Sequence, residues 1–188
     1  MTDMEDQKRK RFLTIPNLMS VLRICMIPGL VWLYCVRGNH KLTAILLVAS
    51  GVTDVVDGFI ARHFDQVSDV GKIIDPVADK LTQTSVLACL LTRFRHMLVP
   101  LILMVVKESF AAVTGVMAIS KTRQIMGADW HGKAATVCLY SMMFIHIVWA
   151  DIPMSASYAL TFLCVGVMLV SFVLYGAKNI KAIRAPAK

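Results

Sequence analysis

Apolar residues run along this chain in long blocks, separated by short polar or basic clusters. Blocks at 17–36, 42–60, 73–91, 97–119, 134–150 and 155–176 each fall within the roughly 17–25 residues with which a helix crosses a bilayer core. The pattern predicts an all-α polytopic membrane protein with six transmembrane helices, preceded by an N-terminal juxtamembrane helix. Residues 1–188 read as one domain: a cytoplasmic or interfacial lead-in at 1–16, a six-helix core at 17–176 and a basic tail at 177–188. No repeat, low-complexity tract or linker divides them.

The junctions carry their own signals. Lys8-Arg9-Lys10-Arg11 beside Phe12-Leu13 suits a segment lying on anionic headgroups. Pro16 suits a helix start, with Asn17 or Ser20 placed to cap or to present polar groups there. Arg37 to Lys41 reads as a turn, residues 63–72 as a loop in which Asp65, Ser68 and Asp69 supply turn chemistry, and 121–133 as the longest internal loop. Asp151-Ile152-Pro153 is the last turn.

Charges inside the apolar blocks change the picture from scaffold to site. Asp54 and Asp57 are three residues apart at the end of the second block, and Asp75 and Asp79 are four apart at the start of the third. On helices each pair lies on one face, and consecutive antiparallel spans bring both pairs to one side of the membrane. Clustered carboxylates repel one another unless a cation neutralises them, so this cage makes sense with bound metal. Oxygen-only ligands select Mg²⁺ or Mn²⁺ over zinc.

Arg23, inside the first span, is expected to face the acids or a substrate, with snorkelling to the headgroups as the alternative. Lys107 and Glu108 are adjacent in the fourth span, about 100° apart on a helix, so that they should not share a face and at least one should reach a polar interior. His146 reads as a satisfied core or interface histidine, and the Met and aromatic side chains of the spans as packing and interfacial anchors.

The acids belong to a longer pattern: Asp54-x2-Asp57-Gly58-x2-Ala61-Arg62-x8-Gly71-x3-Asp75-x3-Asp79, eight fixed identities over 26 positions. This resembles, with no position missing, the signature of the CDP-alcohol phosphotransferases, also called CDP-alcohol phosphatidyltransferases. The resemblance implies transfer of a phosphatidyl or related phosphoryl group from a CDP-linked donor to an alcohol, with release of CMP. It implies Asp54, Asp57, Asp75 and Asp79 as metal ligands for two Mg²⁺ or Mn²⁺ ions, with Asp79 also taking the acceptor's proton. It places Asn17, Leu18, Met19 and Ser20 against the CDP group. Within the motif, Gly58 lets the nucleotide approach the helix backbone, Ala61 keeps the groove shallow, and Arg62 offers a planar fork to phosphate or carboxylate. Ser68 is a hydroxyl donor to the nucleotide, and Gly71 opens room at the third helix.

Ile15-Pro16-Asn17-Leu18 with Arg23, and Asp75-Pro76-Val77-Ala78-Asp79-Lys80, are similar to the branch holding phosphatidylglycerophosphate synthases and CDP-diacylglycerol-using cardiolipin synthases. The former typically carry Arg-Glu in the fourth span and Gly-Lys-x-Lys-Thr before the fifth. Here those positions read Lys107-Glu108 and Gly132-Lys133-Ala134-Ala135-Thr136, so one cation is exchanged and another is missing. The expected donor is CDP-diacylglycerol and the expected acceptor glycerol 3-phosphate. Phosphatidylglycerol, as in a cardiolipin synthase, or an inositol phosphate is the alternative. Arg23, Lys107, Lys121, Arg123, His131 and Lys133 are the candidate acceptor cations. A divalent-cation transporter is the competing class, against which stand the crowding of the acids at one membrane face and the lack of broken helices.

Composition supports the membrane reading: 57% of residues are hydrophobic and mean hydropathy is +0.65. The net charge of +8 sits between apolar spans and not on an aromatic-interleaved surface, which favours anionic lipid over nucleic acid as partner. Lys8 to Arg11, Arg62, Lys72, Lys121, Arg123, Lys133, Lys178, Lys181, Arg184 and Lys188 collect on one side, against Arg37, Lys41, Arg93 and Arg95 on the other. Positive-inside then places both termini and the acids in the cytoplasm. No cleavable signal peptide is expected, and the lack of an Arg- and Ser-rich transit segment points to a bacterial cytoplasmic membrane. The five cysteines are isolated in apolar surroundings and read as small packing residues. A homodimer is expected from resemblance alone.

Overall fold

A computed structural model describes residues 15–63, 71–122 and 130–184. Within them six α-helices follow the six apolar blocks: α1 (Ile15–Val31), α2 (His40–His63), α3 (Gly71–Leu91), α4 (Leu98–Thr122), α5 (Trp130–Val148) and α6 (Met154–Arg184). A π-helical turn, Trp32–Val36, extends α1, and a 3₁₀ turn, Arg95–Met97, leads into α4. No strand occurs among the described residues. Three segments are long and apolar enough to cross a membrane: Asn17–Val36, Arg95–Thr114 and Met154–Ile180. The predicted juxtamembrane helix, Ser68 and Arg123 lie outside the described residues. So do the side chains of Asp57, Gly58, Ala61, Arg62 and Lys121, although these five sit on helical backbone.

Two boundaries differ most from expectation. Trp130 to Lys133, predicted as loop, form the first turn of α5. The basic tail is helical through Arg184, because Asn179 is buried and its Nδ2 donates to Thr114 Oγ1 at 2.7 Å. That hydrogen bond holds the end of α6 against α4. With 31 residues, α6 is about 46 Å long and exceeds a bilayer core of about 30 Å.

The chain divides into two compact units, Met1–Thr92 and Arg93–Lys188. In unit 1, α1 packs along both α2 and α3, which make few contacts with each other among the described residues. The turn into α2 needs Gly38, whose φ of +59° is disfavoured for other residues, and Asn39 caps the helix through Oδ1, which accepts from Leu42 N–H at 3.0 Å. In unit 2, α6 packs along both α4 and α5. Gly176 makes the first contact close, since a Cβ there would stand 3.4 Å from the Phe110 ring.

Both units turn polar residues inward and apolar residues outward, the pattern a lipid environment permits. On α1, Asn17, Ser20 and Arg23 recur every third residue and are buried; Arg23 is 1% exposed while Leu18 is 65% exposed. The buried apolar residues of unit 1 include Leu30, Leu47, Ala78, Val86, Leu87 and Leu90. On α6, Ser157, Thr161, Cys164, Met168 and Ser171 alternate spacings of four and three, one buried stripe, while Phe162, Leu163, Val170 and Val173 face outward. Unit 2 fills its interior with Met97, Met104, Met142 and Met143, as expected of the methionines; Cys89 in unit 1 and Cys164 in unit 2 are buried free thiols.

Candidate functional site

The last turns of α2 and the first turns of α3 carry the acids, and α1 joins them. Arg23 Nη1 lies 2.7 Å from Asp54 Oδ1 and 3.2 Å from Asp75 Oδ1. One buried guanidinium therefore ties two helices that make few direct contacts among the described residues. The expectation that Arg23 faces the acids holds, and snorkelling does not occur. Asp54 and Asp75 are both partly exposed, so their carboxylates have one side on Arg23 and another open. Asp57 follows Asp54 by one helical turn.

Asp79 stands one turn beyond Asp75 and is better covered. Gln83 Nε2 donates to its Oδ2 at 2.9 Å, and Lys80 Nζ lies 3.7 Å from the same oxygen. Gln83 is itself buried. It was not singled out from sequence, although an amide four residues after a carboxylate is a recognised helical pairing. Pro76, between the two acids, withholds an N–H from the carbonyl of residue 72, which opens the helix ladder at the site.

The proposed nucleotide-side residues of α1 do not share one direction. Asn17 and Ser20 point into unit 1 on the face that carries Arg23, Met19 is half-buried, and Leu18 faces outward with Val21 and Leu22. Gly71 opens α3.

Among the described residues no three acids stand within reach of one ion. The donor chemistry nevertheless fits a hard divalent cation: the partners are carboxylate oxygens, and the point where Asp54 and Asp75 converge already accepts the positive charge of Arg23. Each of those carboxylates engages Arg23 through its Oδ1.

Apart from Arg23, the candidate cations belong to unit 2. A cavity of about 400 Å³ is lined by Lys107, Glu108, Gly132, Lys133, Ser171 and Tyr175 among others. Lys107 Nζ reaches Glu108 Oε1 at 3.0 Å. Sequence spacing argued against a shared face; the two side chains are long enough to bend across the intervening angle and meet at the cavity. Lys133 and Gly132 reach the same space because the first turn of α5 is helical. His131, read as a cation or a solvated residue, is half-buried with Nδ1 3.4 Å from Ser171 Oγ. It lines a second cavity of about 430 Å³, mostly apolar, with Trp130, Phe162, Val170 and Leu174, and Ser171 borders both.

At the other end of α6 lies a hydrogen-bond chain that sequence did not reveal. His146 Nδ1 faces the Met142 carbonyl at 2.8 Å, so it carries a proton, and a neutral His146 then accepts at Nε2 from Ser157 O–H at 2.9 Å. Ser157 Oγ in turn accepts from His96 Nε2–H at 2.8 Å. His146 is fully buried and satisfied, as expected.

Comparison with known proteins now bears on this geometry. Residues 13–176 match the family model described as CDP-alcohol phosphatidyltransferase. The chain belongs to that family. The match runs across both units and includes every acid of the motif. A CDP-diacylglycerol–glycerol-3-phosphate 3-phosphatidyltransferase of Rickettsia typhi (strain ATCC VR-144 / Wilmington) is 35% identical over 96 residues, 50% of this chain and 54% of the relative. One of the same name from Rickettsia prowazekii (strain Madrid E) is 35% identical over 96 residues, 50% of this chain and 53% of the relative. A cardiolipin synthase (CMP-forming) / mitochondrial hydrolase fusion protein of Schizosaccharomyces pombe (strain 972 / ATCC 24843) is 39% identical over 85 residues, 45% of this chain and 14% of the relative. The chain thus spans about half the length of the Rickettsia relatives it matches. Relatives with two differently named activities are therefore similar to this chain.

Proposed function

We propose that this protein transfers a phosphatidyl group from CDP-diacylglycerol to glycerol 3-phosphate, releasing CMP and forming phosphatidylglycerophosphate. The observation that carries this reading is the convergence of Asp54 and Asp75 at Arg23, with Asp79 one turn along α3. Asp54, Asp57, Asp75 and Asp79 would hold Mg²⁺ or Mn²⁺, two ions, supplying Lewis-acid stabilisation of charge on the phosphoryl oxygens.

The protein's own residues do the rest. Asp79 takes the proton of the acceptor hydroxyl as its oxygen bonds to the phosphorus bearing the diacylglycerol. The bond from that phosphorus to the bridging oxygen breaks, and CMP leaves with the electron pair. Gln83 and Lys80 keep the Asp79 carboxylate in one orientation. Arg62, Gly58, Ala61, Ser68, Gly71 and the Asn17 to Ser20 turn serve the donor. Lys107 and Lys133, with Lys121 and Arg123, bind the acceptor's phosphate. Glu108, paired with Lys107, tempers that charge and holds its ammonium in place.

All six helices span the membrane in this reading, with the acids and both termini in the cytoplasm of a bacterium and the protein acting as a homodimer. One observation favours a second acceptor, phosphatidylglycerol: the apolar cavity of Trp130, Phe162 and Val170 shares Ser171 with the cationic one, a pairing that suits an acyl chain beside a phosphate. Purified protein given CDP-diacylglycerol, Mn²⁺ and a panel of glycerol 3-phosphate, phosphatidylglycerol and inositol phosphate should release CMP with the first. Release with phosphatidylglycerol alone would select the second reading. No release with any acceptor, or metal flux through liposomes without CMP chemistry, would sink both.

A further inference from the structure

We infer that Arg23 is the resident counter-cation of the acid site: it holds Asp54 and Asp75 together when no metal is bound, and divalent metal takes over part of that task. The inference rests on the metal reading above but makes its own claim about the metal-free protein. Three observations carry it. Arg23 is buried on α1, so its charge is not a surface charge that solvent could replace. Its Nη1 serves both carboxylates, one from α2 and one from α3. Those two helices make few direct contacts among the described residues, so α1 is what spaces their acids.

Without the guanidinium, two carboxylates converging on one point repel each other, and only cations from solution can relieve the repulsion. With it, each carboxylate has Oδ1 engaged. An added divalent ion near Arg23 meets like charge, so Arg23 should lower the metal's stabilising effect while making the fold less dependent on metal. Removing Arg23 moves both quantities the same way: the metal-free protein weakens, and it gains more from metal. A role confined to acceptor phosphate would leave both unchanged and raise only the acceptor KM.

The test is thermal unfolding of the full chain in lipid nanodiscs, in EDTA and in Mn²⁺, for wild type, Arg23→Gln, Arg23→Lys, Asp54→Asn and the Arg23→Gln/Asp54→Asn double variant. In EDTA, Arg23→Gln should unfold about 5 °C below wild type, with Arg23→Lys in between because it keeps the charge but not the two-way fork. The double variant should recover at least half of that loss, since one of the repelling acids is gone. Mn²⁺ should raise the midpoint of Arg23→Gln roughly twice as far as that of wild type. Equal midpoints for wild type and Arg23→Gln in EDTA, or no recovery in the double variant, would overturn the inference. If Mn²⁺ shifts neither protein, the metal reading fails, while the EDTA series still decides the role of Arg23.

Discussion

In unit 1 the central helix α1 turns Asn17, Ser20 and Arg23 inward and meets carboxylates from both neighbours. In unit 2 the central helix α6 turns Ser157, Thr161, Ser171 and Asn179 inward and meets imidazoles, hydroxyls and a cation-lined cavity. The packing plan is the same: one helix between two others, polar groups inside, apolar groups outside. What differs is the sign and strength of the charge placed on that plan. In the proposed reading the acids would serve a metal and the CDP-linked donor, whereas the cations would serve the acceptor's phosphate. The two three-helix scaffolds of this chain thus carry side chains of opposite charge.

Breaking the acid side should cost most. Asp79→Asn removes the proposed base while keeping the volume and the side-chain oxygen that accepts from Gln83. CMP release should fall about 10²- to 10⁴-fold at saturating substrates, the usual scale of general-base loss, with CDP-diacylglycerol still bound. Stopped-assay kinetics beside equilibrium donor binding check this, and normal turnover would remove Asp79 from the role.

The cation side should respond in KM and not in kcat. Lys107→Gln deletes one phosphate partner and leaves Glu108 without its 3.0 Å ion pair in the cavity. The acceptor KM should rise about 10-fold or more, the scale of a lost charge-assisted hydrogen bond, while the donor KM holds. A parallel fall in kcat with unchanged KM would place Lys107 in the chemistry and blur the division between units.

How much of this was legible depends on what kind of spacing carried it. Helix positions followed from block length, because continuous apolar runs of about 20 residues suit a membrane helix, whose backbone is satisfied within itself, and are too long for a barrel strand. The acids followed from i, i+3 and i, i+4 spacing, which a helix converts directly into a shared face. The link through Arg23 was half legible: its burial demanded an anionic partner, but one residue cannot announce that it serves two helices at once. Gln83, Ser157 and the end of α6 were missed because polar residues inside apolar blocks read as interruptions until their partners are known. Lys107 and Glu108 were misjudged because ideal helix angles describe Cβ directions and not the reach of long side chains.

The neutral chain of unit 2 offers a smaller test. Ser157→Ala leaves the His146 Nε2 acceptor without its donor and the His96 Nε2–H without its acceptor. Stability should fall by about 1–3 kcal/mol, the cost of buried groups left unpaired. Catalysis in the folded fraction and Mn²⁺ binding should stay as in wild type, which thermal unfolding in parallel with CMP release would show. A change in metal affinity would mean that the chain of histidines is more than structural.

The smallest expected effect lies in the turn that launches the acid-bearing helix. Asn39 Oδ1 accepts from Leu42 N–H, and Thr43 Oγ1 donates to the Asn39 carbonyl at 2.8 Å. The side-chain contact satisfies an N–H that the start of α2 would otherwise leave unpaired, and the Thr43 hydroxyl adds to a carbonyl that already accepts from Thr43 N–H at 3.0 Å. Asn39→Ala removes the cap and should cost about 1 kcal/mol, whereas Asn39→Ser keeps a side-chain acceptor and should cost less. Asp54 lies fifteen residues further along α2, about four turns, so fraying at the cap should not reach the acids. Stability measured with and without Mn²⁺ separates the outcomes: a constant loss in both conditions keeps the effect local to the turn, and a loss that metal repairs would show that α2 transmits its start to its catalytic end.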